Sequence, residues 1–126
     1  MVKDSDRLDA LRERLRAFVA ERDWEQFHSP KNLAMAMIVE AAELIEHFQW
    51  ATEQESRELS PEKLAAVEQE IADVFIYLVR LSDLLGIDLL DAAARKIALE
   101  RSGKFRVKLS QLILLADAHA IGRIGQ

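Results

Sequence analysis

The sequence contains no cysteine, which excludes disulfide bonds, thiolate catalysis and cysteine-based zinc sites. Glycine and proline are also scarce, with four and two residues among 126. The sequence therefore has few of the residues that form the turns of a many-stranded fold. The longest uninterrupted apolar run, residues 33–39, is far shorter than the ~20 residues that a membrane-spanning helix needs. These absences favour a helical protein that does not cross a membrane.

Positive charge is in the minority, since 17 Lys and Arg residues stand against 22 Asp and Glu residues. Nucleic-acid-binding domains usually carry a basic face, so the net charge of −5 argues against a nucleic-acid partner but not against a single nucleotide. The N-terminal residues show no apolar signal region. We expect a single cytoplasmic domain over residues 1–126, with its core at 6–103 and a tail at 104–126.

Helix-start signals are clear at two places along the chain. Ser29-Pro30 and Ser60-Pro61 each combine an N-cap hydroxyl with a proline at the first helical position. Apolar residues at helical spacing follow each of these two signals. The same spacing occurs in a segment before Ser29 and in another after Gly86. The predicted helices span residues 6–22, 29–50, 60–85 and 89–101.

The segments between and after these helices are less regular. The polar residues 51–59 are predicted to form a connector, and Gly86 is predicted to end the third helix. Residues 112–121 are apolar enough for a short C-terminal helix. Because the third helix has a heptad-like apolar spacing, the sequence predicts an all-α protein, an antiparallel four-helix bundle. Its apolar surfaces suggest burial against another subunit.

Four carboxylates form two pairs, one on the second predicted helix and one on the third. The pairs are Glu40 with Glu43 and Glu70 with Asp73, and each has a spacing of three residues. Residues three apart lie on one face of a helix, so antiparallel packing would bring all four together. Burying four such charges would be prohibitively costly, because desolvation and mutual repulsion add. A bound cation removes this cost, whereas the alternative is that these are ordinary surface carboxylates.

The expected ligands are all oxygen atoms, which suits a hard ion such as Mg²⁺, with Mn²⁺ as a substitute. A di-iron centre in a helical bundle needs a Glu-x-x-His motif, but Leu44 stands three residues before His47. Zinc is disfavoured by the lack of cysteine and of paired histidines. The two tryptophans, Trp24 and Trp50, lie near helix ends, where they could stack on a nucleobase or simply anchor the helices.

The pattern Glu-x-x-Glu, 26 intervening residues and Glu-x-x-Asp resembles the all-α NTP pyrophosphohydrolase superfamily, the MazG-like proteins. Residues 22–33, 40–50 and 70–92, together with Lys96, look like the dCTP pyrophosphatase branch of that family. The resemblance covers roughly residues 8–101. It implies a homotetramer, a dimer of dimers, with active sites formed between subunits.

The resemblance also implies an activity, the Mg²⁺-dependent hydrolysis of a dNTP to dNMP and pyrophosphate in nucleotide-pool house-cleaning. The favoured substrate is dCTP or a modified cytosine nucleotide. The family's metal-binding acids carry over to the four carboxylates named above, and Glu43 is a candidate general base. The base pocket is expected to include His28 and Tyr77 beside the two tryptophans.

Candidate phosphate contacts follow from the same resemblance. Lys96 matches the lysine of the family's fourth helix, and Lys31 and Arg101 are further candidates. Asn32 matches an asparagine that could hydrogen-bond to sugar or phosphate, although local capping is an alternative. Glu100 stands where the family has an asparagine, and it would repel a triphosphate unless it binds metal or pairs with Arg101.

This departure keeps two other functions open. The same fold could act on dUTP or on a damaged or non-canonical nucleotide. The chain could also be a non-catalytic helical oligomer that senses a nucleotide or a metal ion, a hypothesis motivated by the altered end of the fourth helix and by the apolar tail.

Overall fold

The computed structural model describes residues 3–102, and within that range the chain is helical and has no strand. The elements are α1 (Asp4–Glu21), a 3₁₀ turn (Glu25–Phe27), α2 (Pro30–Glu46), α3 (Glu53–Arg57), α4 (Pro61–Leu84) and α5 (Leu89–Glu100). The all-α prediction is thereby confirmed. The helix predicted at 112–121 lies outside the described residues.

The chain divides into two compact units, Met1–Asp88 and Leu89–Gln126. The first contains α1 to α4, and the described part of the second consists of α5 and the two residues after it. A single domain over the whole chain stays a prediction. Among the described helices, none combines the length and the apolar character needed to cross a bilayer.

The starts of α2 and α4 are where the sequence predicts them. The Ser29 hydroxyl accepts a hydrogen bond from the Asn32 backbone N–H at 3.1 Å, and Ser60 accepts one from Lys63 at 3.2 Å. Each bond satisfies one of the free N–H groups that every helix start leaves unpaired. The following prolines occupy positions where no intrahelical N–H is needed.

The segment between α2 and α4 differs from the prediction in two ways. α2 ends at Glu46 rather than near Trp50, and its chain continues in turns. The segment predicted as a connector contains α3, which starts where the Thr52 hydroxyl accepts a hydrogen bond from Glu55 N–H at 3.1 Å. A five-residue helix shows too little apolar periodicity to be read from sequence, so only its cap signal could have revealed it.

The core of the first unit lies where the three long helices meet. Its buried apolar residues come from α1, α2 and α4: Val19, Leu33, Val67 and Val79. α2 and α4 run antiparallel, because Glu43 interacts with Glu70 while the earlier Glu40 interacts with the later Asp73. α1 is joined to α4 through Asp83, whose carboxylate accepts a hydrogen bond from Arg16 Nε at 2.7 Å. This packing sets the positions of the site residues within the first unit.

α1 and α4 end in the same hydrogen-bonded motif. After α4, Gly86 has a φ of 66°, and Ile87 N–H donates to the Ser82 carbonyl at 2.9 Å. After α1, Asp23 has a φ of 54°, and Trp24 N–H donates to the Val19 carbonyl at 3.1 Å. This is the Schellman ending, which usually places glycine in the left-handed position. At α1 it fixes the backbone position of Trp24.

We expect Asp23→Val to lower the free energy of unfolding by about 1–2 kcal/mol, because a β-branched residue is strained in the left-handed region. Thermal unfolding followed by circular dichroism measures this loss. Asp23→Asn is the matched control and should unfold close to the wild type, because asparagine tolerates this conformation. Equal melting temperatures for the valine and asparagine variants would contradict the assignment of strain to this residue.

Candidate functional site

The antiparallel contact between α2 and α4 brings acidic side chains together. Glu40, Glu43 and Glu70 each offer a carboxylate oxygen, and these atoms all lie within 4.8 Å of one another. Asp73, one turn after Glu70, interacts electrostatically with both Glu40 and Glu70. The structure therefore groups three of the predicted ligands closely, with the fourth beside them. We call these four residues the carboxylate cluster.

The electrostatics of this carboxylate cluster are unfavourable without a cation. Burial raises the pKa of Glu40, and the charge of Glu43 raises it further. Burial and the charge of Glu43 likewise raise the pKa of Glu70. Glu70 Oε2 is buried and has no hydrogen-bond partner within residues 3–102. A hard divalent cation would satisfy this oxygen and offset the repulsion, so the donor set fits Mg²⁺ or Mn²⁺.

His47, which is not among the residues predicted from sequence to line the site, lies at the edge of the carboxylate cluster. Its Nε2 is 3.8 Å from Glu70 Oε1, and its side chain is largely covered. Burial remains the main influence on the pKa of Glu70, and His47 opposes the resulting rise. The signal for this proximity is the spacing of four between Glu43 and His47, because His47 directly follows α2 and continues the helix face that carries Glu43.

A cavity of about 630 Å³ adjoins the carboxylate cluster. Glu40 and Asp73 form part of its wall, together with His28 and Arg80. The rest of the lining is mainly apolar and aromatic and includes Leu11, Leu15, Phe18, Trp24, Ile76 and Tyr77. A mostly apolar cavity with a few convergent polar groups is the usual form of a small-molecule site.

The aromatic part of the wall is organised around Trp24, which is 42% exposed. Its ring centroid lies 5.6 Å from that of Phe18 in an edge-to-face arrangement and 6.4 Å from the His28 ring. The Arg22 guanidinium covers the Phe18 ring at 3.5 Å from its centroid. From the sequence alone, Phe18 is one of the apolar residues at helical spacing in the first helix, and such a pattern does not distinguish the core from a cavity wall.

Tyr77 connects the cavity to the cluster. Burial raises the pKa of its hydroxyl, and the negative charges of Glu40 and Asp73 raise it further. The hydroxyl therefore stays protonated at neutral pH and is a hydrogen-bond donor. Of the predicted base-pocket residues, the structure brings together Trp24, His28 and Tyr77.

The other predicted contacts are placed elsewhere. Trp50 follows α2, is 80% exposed and does not line the cavity. Lys31 is exposed in the first turn of α2. The Asn32 side-chain amide donates to the Phe27 carbonyl at 3.0 Å, which ties the loop to the helix start. Neither of these two residues lines the cavity.

The remaining candidates belong to the second unit. Lys96 and Glu100 lie one turn apart on α5, and Lys96 Nζ is 2.8 Å from Glu100 Oε1. Arg101 follows the end of the helix. The partner of Glu100 is thus Lys96, rather than the Arg101 considered from sequence. This ion pair offsets the negative charge of Glu100.

Comparison with known proteins agrees with this architecture. Residues 35–104 match the MazG-like family. The human protein dCTP pyrophosphatase 1 is 44% identical over 96 residues, which cover 75% of this chain and 56% of that protein. Its bovine counterpart is 41% identical over 106 residues, covering 82% of this chain and 62% of that protein.

The chain thus spans less than two thirds of the length of these curated relatives. The crystal structure of a pyrophosphatase from Archaeoglobus fulgidus is also similar, with a TM-score of 0.73 and 38% identity. That match covers 82% of this chain and 98% of the archaeal one. Because the family match includes more than half of the residues, the chain belongs to the MazG-like family.

Proposed function

We propose that this chain is a Mg²⁺-dependent nucleoside triphosphate pyrophosphohydrolase that cleaves a dNTP to dNMP and pyrophosphate. The observation that carries the proposal is that Glu40 and Asp73 belong both to the carboxylate cluster and to the wall of the aromatic cavity. A base in the cavity would then place its triphosphate beside the metal ligands. The names of the mammalian relatives favour dCTP or a modified cytosine nucleotide as the substrate.

The acidic residues would have two roles, cation binding and proton transfer. Glu40, Glu43, Glu70 and Asp73 would hold Mg²⁺, which when bound neutralises phosphate charge and orients a water for in-line attack. Glu43 contacts the carboxyl groups of both Glu40 and Glu70. This central position supports Glu43 as the general base, because a neighbouring carboxylate can hold the cation while Glu43 accepts the proton.

The base would bind among Trp24, His28 and Tyr77, with stacking on Trp24. The protonated Tyr77 hydroxyl offers a donor next to the metal ligands. Lys96 and Arg101 would contact the phosphates, and the ion pair between Lys96 and Glu100 keeps the glutamate from repelling them. Lys31 and Asn32 would act from the start of α2. An enzyme with this activity would remove unwanted nucleotides from the cytoplasmic nucleotide pool, a role known as house-cleaning.

We also propose that the enzyme is a homotetramer, a dimer of dimers. Four large apolar residues of α2 are more than half exposed: Met35, Ile38, Val39 and Ile45. Apolar side chains repeated along one helix at this exposure are typical of a subunit interface. Trp50, exposed beyond the end of α2, would complete the base pocket of a neighbouring subunit.

The activity itself is tested by incubating the protein with Mg²⁺ and each common ribo- and deoxyribonucleoside triphosphate. We expect monophosphate and pyrophosphate as products, with the highest kcat/KM for dCTP. Release of inorganic phosphate, or no turnover of any nucleotide, would contradict the proposal and favour a nucleotide- or metal-sensing protein. A higher kcat/KM for dUTP or for a damaged nucleotide would keep the reaction and correct the substrate.

In the same assay we expect Glu70→Gln and Asp73→Asn to lower kcat by at least roughly 10³-fold, because each removes a charge that holds the cation. Glu46→Gln is the matched control, since Glu46 is exposed on α2 and lies outside the carboxylate cluster. Near-normal turnover in both cluster variants would refute the metal assignment.

We expect Glu40→Gln to raise the melting temperature of the metal-free protein. The raised pKa of Glu40 means that its ionised form destabilises the fold at neutral pH, and that this penalty shrinks as the pH falls towards the raised pKa. Mg²⁺ should stabilise the wild type more than the variant. Differential scanning calorimetry with a chelator or with Mg²⁺ measures both effects. A lower melting temperature for the metal-free variant would show that Glu40 is not under repulsion.

Trp24→Ala and Trp50→Ala should each raise KM for dCTP by roughly tenfold or more, because a base stacked on an aromatic ring gains about 1–3 kcal/mol. If the two tryptophans reach one pocket from different subunits, mixed oligomers of the two variants should regain some sites with the wild-type KM. An unchanged KM in Trp50→Ala would remove this residue from the pocket, and mixtures without recovery would place both tryptophans on one subunit.

A further inference from the structure

Arg80 is a charged residue in an apolar setting. It lies between Val79 and Leu81 on α4 and is 7% exposed, the one buried charged residue within residues 3–102. A guanidinium taken out of water is costly unless its N–H groups are paired. Its partners therefore indicate why the fold retains it.

Arg80 forms an ion pair with Asp83, but this pair does not include a hydrogen bond. Arg80 Nη1 is 3.6 Å from Asp83 Oδ2, too far for a hydrogen bond. The same carboxylate already accepts hydrogen bonds from both Nε and Nη2 of Arg16, and Arg12 lies nearby. Arg80 is thus a third positive charge beside a carboxylate that α1 already neutralises.

The hydrogen bond that Arg80 does make is to His28. Arg80 Nε donates to His28 Nδ1 at 3.3 Å, and both side chains line the cavity. A guanidinium has donors only, so Nδ1 must present its lone pair. A neutral imidazole with a lone pair on Nδ1 carries its proton on Nε2. Burial and the charge of Arg80 lower the pKa of His28, which keeps the ring neutral.

The hydrogen bond from Arg80 restrains the rotation of the His28 imidazole ring, because the rest of this residue is held by other contacts. The backbone is already fixed, since His28 N–H donates to the Glu25 carbonyl at 3.2 Å and Ser29 caps α2. The Trp24 ring stands beside the imidazole. With Nδ1 engaged by Arg80, Nε2–H is the polar group that the ring has available for a ligand.

We propose that Arg80 is a positioning residue that holds His28 in the Nε2–H tautomer, so that His28 donates a hydrogen bond to a carbonyl oxygen of a pyrimidine base in the cavity. This inference rests on the proposed function for the identity of the ligand. The role of Arg80 is separate from metal binding by the carboxylate cluster and from base stacking on the aromatic wall.

The tautomer is tested without substrate by ¹⁵N NMR of the histidine rings in the full-length protein, with His28→Gln used to assign the His28 signals. We expect a protonated Nε2 and an unprotonated Nδ1 in the wild type. Arg80→Met should introduce the Nδ1–H tautomer, whereas Arg16→Met should leave the spectrum of His28 unchanged. Arg16 is the matched control because it contacts the same Asp83 but not His28. An unchanged tautomer in Arg80→Met would overturn the inference.

The effect on binding is tested by a double-mutant cycle with dCTP. Arg80→Met should raise KM roughly three- to tenfold with a smaller change in kcat, as expected for one misplaced hydrogen bond. In the His28→Gln background the same substitution should have no further effect, because Arg80 acts through His28. An equal effect in both backgrounds would overturn the inference. Because the NMR measurement needs no turnover, an inactive protein would refute the proposed function without deciding the tautomer.

Discussion

The repulsion between carboxylates on α2 and α4 is the constraint around which the first unit is arranged. Apolar residues of the same two helices, including Leu33, Val67 and Val79, are buried and hold the helices in contact. Their burial stabilises a packing that the acidic residues alone would oppose. Local destabilisation of this kind is typical of functional sites, where stability is given up for a chemical arrangement.

α1 completes the site from the other side. Its pairing with Asp83 fixes it against α4, and its Schellman ending carries the chain directly into Trp24. The cavity therefore combines side chains from a helix, a tight turn and the two helices of the cluster. None of these elements alone contains a recognisable pocket.

Much of this could be predicted from sequence because it depends on short-range patterns. The caps at Ser29 and Ser60 and the stop at Gly86 act over a few residues, so they define helix starts and ends almost directly. The spacing of the carboxylates predicts a shared face for each pair, and antiparallel packing is the one further assumption that their convergence needs.

The other features depend on contacts between residues distant in sequence. Arg80 and His28 are 52 positions apart, and no residue next to either of them in sequence indicates that they form a hydrogen bond. The proximity of Phe18 to Trp24 follows from the turn at Asp23. The left-handed backbone of this turn could not be predicted, because the residue there is not a glycine. The extent of α2 was overestimated because the apolar pattern continues through Phe48 although the helix has ended.

The shared wall formed by Glu40 and Asp73 has a thermodynamic consequence. A cation and an organic ligand that both contact these two carboxylates cannot bind independently, since each changes the electrostatic environment of the other. By linkage, the factor by which the cation alters affinity for the ligand equals the factor by which the ligand alters affinity for the cation. The geometry of one wall would thus couple the two binding events in both directions.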